Sequence, residues 1–546
     1  MEEATVSQQA DATIQGVLHD FDTVRQLTDS RLCVIFSLTR LTLALVLLWQ
    51  AGRLVFQADL SDDLRRVDAL FATGRYHHAL AAAEALVARA PRSASALLRL
   101  GMVRAVRNEQ PLASRALASA LGLGLRGREH DLARLYQGRV SAGAGRHDEA
   151  AQVWATIGRR SPLFAVRRVL EAESLLAIGD YSDAEAAYRA VLLRPLPPEW
   201  RSVVHARLAG LRASSDPAGA LAELAAIESS GAGVPPPDQA LPGLDALIAP
   251  LLPVARPDPH QLGAALRAPG TQRAQLLGQL YLDAGWYALA EAQFASVAPN
   301  APGALAAAAY AAYTRWQAGD REGGLRRLEA LVAAHPDEPR ARSLLALAYL
   351  SDNDAPGAQA QLDALRALAP RAPDTHLAWA QWYAARHDYL AAAEEYRRAL
   401  ADAPDDARGI YALAVARFHL DTTLQVCAAG WPAAETAAQL LPGDARAWTA
   451  LAEARLLCGD PGGARAAAEQ ALLHDARSAE AAYYLGRALA ALGDQAGART
   501  ALISAADLAP ASAWRERAET QLATLGLSSS GLYQPLADHA NSMLYW

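Results

Sequence analysis

An all-α solenoid of about twelve helix-turn-helix units, preceded by one hydrophobic helix, is the fold class the sequence predicts. Three observations carry it. Equivalent residues recur 34 positions apart, each unit holds two apolar-periodic segments split by a short turn, and the apolar complement is mostly Ala and Leu. Hydrophobic residues make up 52% of the chain but aromatics only 6%, the palette of close-packed helices, since Ala lets backbones approach and has the best helix propensity. At 546 residues the chain is too long for one ordinary core.

The repeat is plainest between Ala445 and Pro510, where two units follow one another. Gly459 to Gly493, Ala464 to Ala498 and Ala471 to Ala505 are all steps of 34. Gly-Asp at 459–460 and 493–494 stops one helix and caps the next. A hairpin this short cannot bury its own apolar face, so it needs a copy stacked on either side.

Trp448, Leu485-Gly486, the turn glycines, the small alanines of the second half and Pro510 together resemble the tetratricopeptide repeat (TPR) pattern. The resemblance covers most of the chain. It implies a right-handed superhelix of antiparallel helix pairs that binds other proteins, without catalysis or cofactor.

Taken in order, residues 1–31 are polar and mildly acidic. Within them Ile14, Val17, Leu18, Phe21, Val24 and Leu27 fall at the spacing of an amphipathic helix. Residues 32–57 are apolar and long enough to span a bilayer, which takes roughly 20 residues. Arg40 costs about 2.5–3.5 kcal/mol there, against the surrounding Leu, Val, Ile and Phe; Arg53 can snorkel beside Trp49. A single transmembrane helix is the leading reading. A cleaved signal sequence and a hydrophobic helix packed on the solenoid or a partner remain open. Anchors of this kind usually leave the short end inside, which puts the repeats outside the cytoplasm. The chain has no lysine, read as the codon bias of a GC-rich, bacterial genome.

A first array is expected over 60–230, from Gly74-Arg-Tyr76 onward. Prolines crowd 231–268, which reads as a linker or a decayed repeat. A second array follows over 269–510, with turns at Gly285, Gly319, Asn353 and His387 and closing prolines at Pro336, Pro370 and Pro404, each series in steps of 34. Extra residues near Leu420–Trp431 predict a protruding loop. Residues 511–526 read as a capping helix with a solvated face of Arg515, Glu516, Arg517 and Glu519, and 527–546 as a tail.

Little points to chemistry. Gly122, Gly124 and Gly127 spell G-x-G-x-x-G, but with a helix before them in place of the strand a dinucleotide site needs; they read as an inter-repeat turn. His77-His78 has no third ligand at metal spacing and reads as packing or solvated. Cys33, Cys427 and Cys458 suggest no disulfide framework and read as small buried residues. No hydrolase, P-loop or zinc-protease motif occurs, so no catalytic, cofactor or metal site is expected. A net charge of −7 without a basic stripe argues against nucleic acid.

The remaining candidate site is a surface. The resemblance implies that first helices line a concave groove, which places Gln275, Gln279, Tyr313, Arg340, Gln381, Arg408, Tyr411, Arg446, Tyr483 and Arg487 along it. Arg and Tyr suit binding, offering donors and large amphipathic area. Leu98, Met102 and Leu135 occupy corresponding places in the first array and suggest an apolar groove there. The Lys and Asn with which one TPR subclass grips a carboxylate are not present. The function implied is a membrane-anchored scaffold docking proteins into a membrane or envelope complex. A chaperone for maturing clients and a non-catalytic enzyme subunit are the alternatives.

Overall fold

A computed structural model describes residues 60–230, 244–254 and 256–526. The predicted amphipathic segment 1–31, the hydrophobic helix 32–57 and the tail 527–546 lie outside the described residues, as does the first part of the proline-rich stretch. Among the described residues every regular element is a helix, and none is long and apolar enough to cross a membrane.

The first five hairpins pair α1 (60–72) with α2 (Tyr76–Arg89), α3 (Ala94–Val106) with α4 (Gln110–Gly122), α5 (Gly127–Gly143) with α6 (His147–Ala155), α7 (Phe164–Ala177) with α8 (Tyr181–Leu192), and α9 (Pro198–Arg212) with α10 (Pro217–Ser230). An irregular piece follows: α11 (Asp245–Ile248), a 3₁₀ turn (Ala249–Leu251) and α12 (Pro259–Arg267). The hairpins then resume as α13 (Gly270–Asp283) with α14 (Tyr287–Ala295), α15 (Ala304–Gln317) with α16 (Arg321–Ala334), α17 (Pro339–Ser351) with α18 (Ala355–Leu368), and α19 (Pro373–Ala385) with α20 (Tyr389–Ala401). The last are α21 (Arg408–Thr422) with α22 (Trp431–Leu440), α23 (Ala445–Leu457) with α24 (Pro461–His474), α25 (Ala479–Ala491) with α26 (Gln495–Leu508), and the single α27 (Ala513–Thr524). Among the described residues the hairpins number twelve, and the irregular α11–α12 piece and the single α27 add layers beyond the twelve units expected.

The turns work as the sequence physics requires. Asp320, Asp354, Asp388, Asp460 and Asp494 each accept a hydrogen bond from the amide three residues on, capping α16, α18, α20, α24 and α26. Residue 353, at the position where other units carry glycine, has φ +65° as Asn, a residue that tolerates the left-handed region. Gly122 ends α4 and Gly127 opens α5, so the glycine triplet is an inter-repeat turn.

Within a hairpin, glycine lets the two helices touch. A Cβ on Gly138 of α5 would sit 2.2 Å from Nε1 of Trp154 on α6. That ring is 1% exposed and donates to the Leu135 carbonyl at 3.0 Å, so it has nowhere to go. Overpacking costs typically 1–3 kcal/mol, occasionally more, against about 1 kcal/mol gained in helix propensity. Gly138→Ala is expected to destabilise by about 2 kcal/mol in denaturant unfolding, whereas Gly122→Ala, with nothing within 4 Å, should be neutral or mildly stabilising.

Leu244, Leu247, Ile248 and Leu251 of the irregular piece join one buried cluster with Tyr136, Trp200 and Leu262. The Tyr136 hydroxyl donates to the Leu247 carbonyl at 2.6 Å. The described part of the proline-rich stretch is thus packed into the core. Leu98, Met102 and Leu135 belong to the same cluster, at 0%, 1% and 0% exposure. The apolar groove expected of them does not exist, because the face that carries them is turned onto neighbouring helices.

The ends of the array meet. The His77 amide of α2 donates to Asp507 of α26 at 2.7 Å. Arg107, just past α3, grips Glu519 of α27 with both Nη groups, at 2.8 and 3.2 Å, and Glu109 through Nε at 2.8 Å. Arg515 joins them, 3.1 Å from Glu519 and 3.7 Å from Glu109. The solvated face expected of residues 511–526 is corrected in part: Arg515 is only 8% exposed, because the curvature of the array brings α27 against the first hairpins. His77 has a packing role in the same seam, its ring 3.4 Å from Glu519.

The cysteines also depart from expectation. Cys427 and Cys458 form a disulfide, with Cα atoms 5.5 Å apart. It ties the extra residues near Leu420–Trp431, which wind into a π-helical turn (Val426–Gly430), to the C-terminal end of α23. Cys33 lies outside the described residues.

Candidate protein-binding groove

The first helices of successive hairpins carry a continuous strip of polar side chains. The Arg340 guanidinium of α17 lies over the Tyr310 ring of α15, 5.8 Å from its centroid, and reaches Asp374 of α19 at 3.6 Å. From the other side Tyr411 of α21 donates its hydroxyl to Asp374 at 2.7 Å. Burial, then Asp374, pushes that hydroxyl up to about 12. Four helices from four consecutive hairpins therefore share one chain of contacts. Arg340 and Asp374 keep 42% and 61% of their side-chain surface exposed, so the strip remains available to a ligand.

A second, more buried cluster continues the line. Arg417 of α21 bonds Glu480 of α25 at 2.6 Å and approaches Glu453 of α23 at 3.6 Å. Burial raises the Glu453 carboxyl and the Tyr484 hydroxyl beside it. Next to it the Arg487 guanidinium lies 5.8 Å from the Tyr483 ring, itself 9% exposed and packed on Trp514.

The other residues named from sequence do not converge. The Gln275 amide points toward the carbonyls of Pro302 and Gly303, and Gln279 bonds Asp283 within its own helix. Tyr313 stacks on Trp316 and accepts from Gln317. Gln381 is exposed. Arg408 turns back to Asp405 and the Ala403 carbonyl, and Arg446 to Asp444. Sequence reasoning passed over the acidic members. Yet Asp374 lies 34 residues from both Arg340 and Arg408, Glu480 lies 34 after Arg446, and Glu453 lies 34 before Arg487. The register that selected the arginines runs through the acids that pair with them. Among the described residues no group of three or more His, Cys, Asp or Glu is placed to hold a metal.

The tetratricopeptide repeat family model matches residues 64–122, 311–373 and 458–513, which fall on hairpins at the start, middle and end of the array. No curated protein matches the chain in sequence. Among solved structures, YrrB, described as a TPR protein with an unusual peptide-binding site, is 18% identical, covering 35% of this chain and 97% of its own at a TM-score of 0.30. PilF of Pseudomonas aeruginosa is 14% identical over 40% of this chain and 98% of its own, at 0.34. The Naa15/Naa10 structure bound to HypK-THB is 13% identical over 86% and 96%, at 0.35. Similarities at these values say nothing about what this chain binds. The repeated hairpins, their capped turns and the three matched stretches agree: the chain carries tetratricopeptide repeats in those stretches, within a stack of helical hairpins that is all-helical among the described residues.

Proposed function

We propose that the chain is a non-enzymatic, membrane-anchored scaffold, of bacterial origin, that docks other proteins along the groove of its second array and organises a membrane or envelope complex. The observation that carries this reading is the Tyr310–Arg340–Asp374–Tyr411 strip. It spans four hairpins, it is half-exposed, and its Arg and Tyr are the residue types that dominate binding interfaces. Anchoring rests on the apolar stretch 32–57, whose length suits one bilayer crossing. The Cys427–Cys458 disulfide supports an extracytoplasmic position for the repeats, since such bonds persist in oxidising compartments. A net charge of −7 favours protein over nucleic-acid partners.

The test is a pull-down of the full chain from detergent-solubilised membranes. A scaffold retains one or a few proteins at fixed stoichiometry. Asp374→Arg, which sets like charges beside Arg340, is expected to lower that recovery at least about tenfold while leaving the unfolding midpoint within a degree or two. Deleting residues 32–57 should release the chain from carbonate-washed membranes. Recovery of a shifting population of unfolded clients, or of nothing, would count against the scaffold reading.

A further inference from the structure

Where the two ends of the array meet, they flank a half-open cleft of 1520 Å³, lined by the α1–α2 turn, the ends of α3 and α5, residues 249–254 and one side of α26. Four arginines reach it: Arg75 and Arg139 from the start of the array, Arg477 and Arg499 from its end. All four are exposed, and none has a carboxylate within salt-bridge distance among the described residues. Arg75 and Arg499, one from each end of the array, both depress the His78 imidazole, after burial and His77. The buried Nδ1 of His78 has no hydrogen-bond partner among the described residues. Asp507 is the only carboxylate in the lining. The lining also carries apolar side chains, among them Leu252, Ile503 and Val254, the last 71% exposed.

The geometry points to a second docking site, separate from the groove, that takes an acidic amphipathic segment of a partner protein: carboxylates against the arginines, apolar side chains against Leu252, Val254 and Ile503. Charge complementarity selects an anion in a chain of net charge −7. The volume exceeds the roughly 300–1,000 Å³ of small-molecule sites and suits two or three turns of helix. Because the arginines come from both ends of the array, the site is complete only while the seam is closed.

The experiment measures binding of a labelled 15-residue amphipathic helical peptide, Glu on one face and Leu on the other, to the full chain in detergent micelles. Binding that weakens with salt, falls about tenfold or more in the Arg477→Glu/Arg499→Glu variant, is lost when the peptide's Glu are replaced by Gln, and is untouched by Asp374→Arg supports the proposal. The last comparison keeps it distinct from the groove reading, and an unchanged melting curve shows that the variant folds. Four results overturn the proposal: equal affinity for the Gln peptide, no effect of the double substitution, complete displacement by millimolar inorganic phosphate (a simple anion site), or stronger binding after deletion of residues 1–31 (the chain's own acidic segment as occupant).

Discussion

Arg107→Ala is expected to open the seam and to cost about 3–5 kcal/mol, the range for removing one partner of a buried ion pair. Arg107 is 1% exposed and satisfies Glu519 and Glu109 together. Truncation leaves two carboxylates facing each other with Arg515 as the remaining cation, 3.1 and 3.7 Å away, which pulls the expected cost toward the lower end. The His77 amide, bonded to Asp507 across the seam, should then exchange faster with solvent. Unchanged exchange there would show that the ends hold together without the pair.

The same seam sets a pH dependence. Burial raises the Glu519 carboxyl, but His77, Arg107 and Arg515 outweigh it and hold it at about 2, against 4.5 for the free group. A depressed acid contributes stability that is present above pH 4.5 and lost as pH falls through 2. Asp507 runs the other way. Burial lifts it to about 6 from 3.8, despite the His77 amide and nearby arginines, so its contribution is present below pH 3.8 and lost as pH rises through 6. The seam is expected to be tightest between about pH 3.8 and 4.5. Asp507→Asn should remove the upper flank of that profile and Glu519→Gln the lower, read as differences from the parent chain in urea unfolding.

The hairpins were legible because their cause is local. A glycine or asparagine in the left-handed region, an aspartate cap three residues before the amide that donates to it, and alanines at the helix contact repeat every 34 residues, and each acts over one turn. The seam was not legible, because Arg107 and Glu519 are 412 residues apart and meet only through curvature summed over the whole array. Arg515 and Glu519 therefore read as a solvated face. The groove lay between these cases. Arg340 and Tyr411 carry residue types common in binding surfaces, while Asp374 is one acid among many in the sequence and joins them only once α17, α19 and α21 stand side by side. Leu98, Met102 and Leu135 failed for a third reason: equivalent repeat positions do not guarantee equivalent exposure once neighbouring helices and the 244–254 piece crowd onto them.

The disulfide was hidden by an insertion. Between Thr423 and Gln425 the chain holds two non-glycine residues at φ +54° and +50°, a conformation that costs of order 1–3 kcal/mol each and persists only where surroundings impose it. His419, buried on α21, bonds the Leu424 carbonyl at 2.7 Å, and the bond from Cys427 to Cys458 closes a 31-residue span onto α23. Loop-closure entropy for that span is worth about 3–4 kcal/mol. Reduction, or Cys427→Ala with Cys458→Ala, is expected to lower the stability of the C-terminal hairpins by that order. Because α26 carries Arg499 and Asp507, α27 carries Glu519 and Arg477 lies just before α25, loosening this insert should also weaken the seam. Alkylation before reduction should leave Cys427 and Cys458 unlabelled in the folded chain. An unfolding midpoint unmoved by reductant would show that the turn is held by its packing and hydrogen bonds alone, and would remove the support the bond lends to an oxidising compartment.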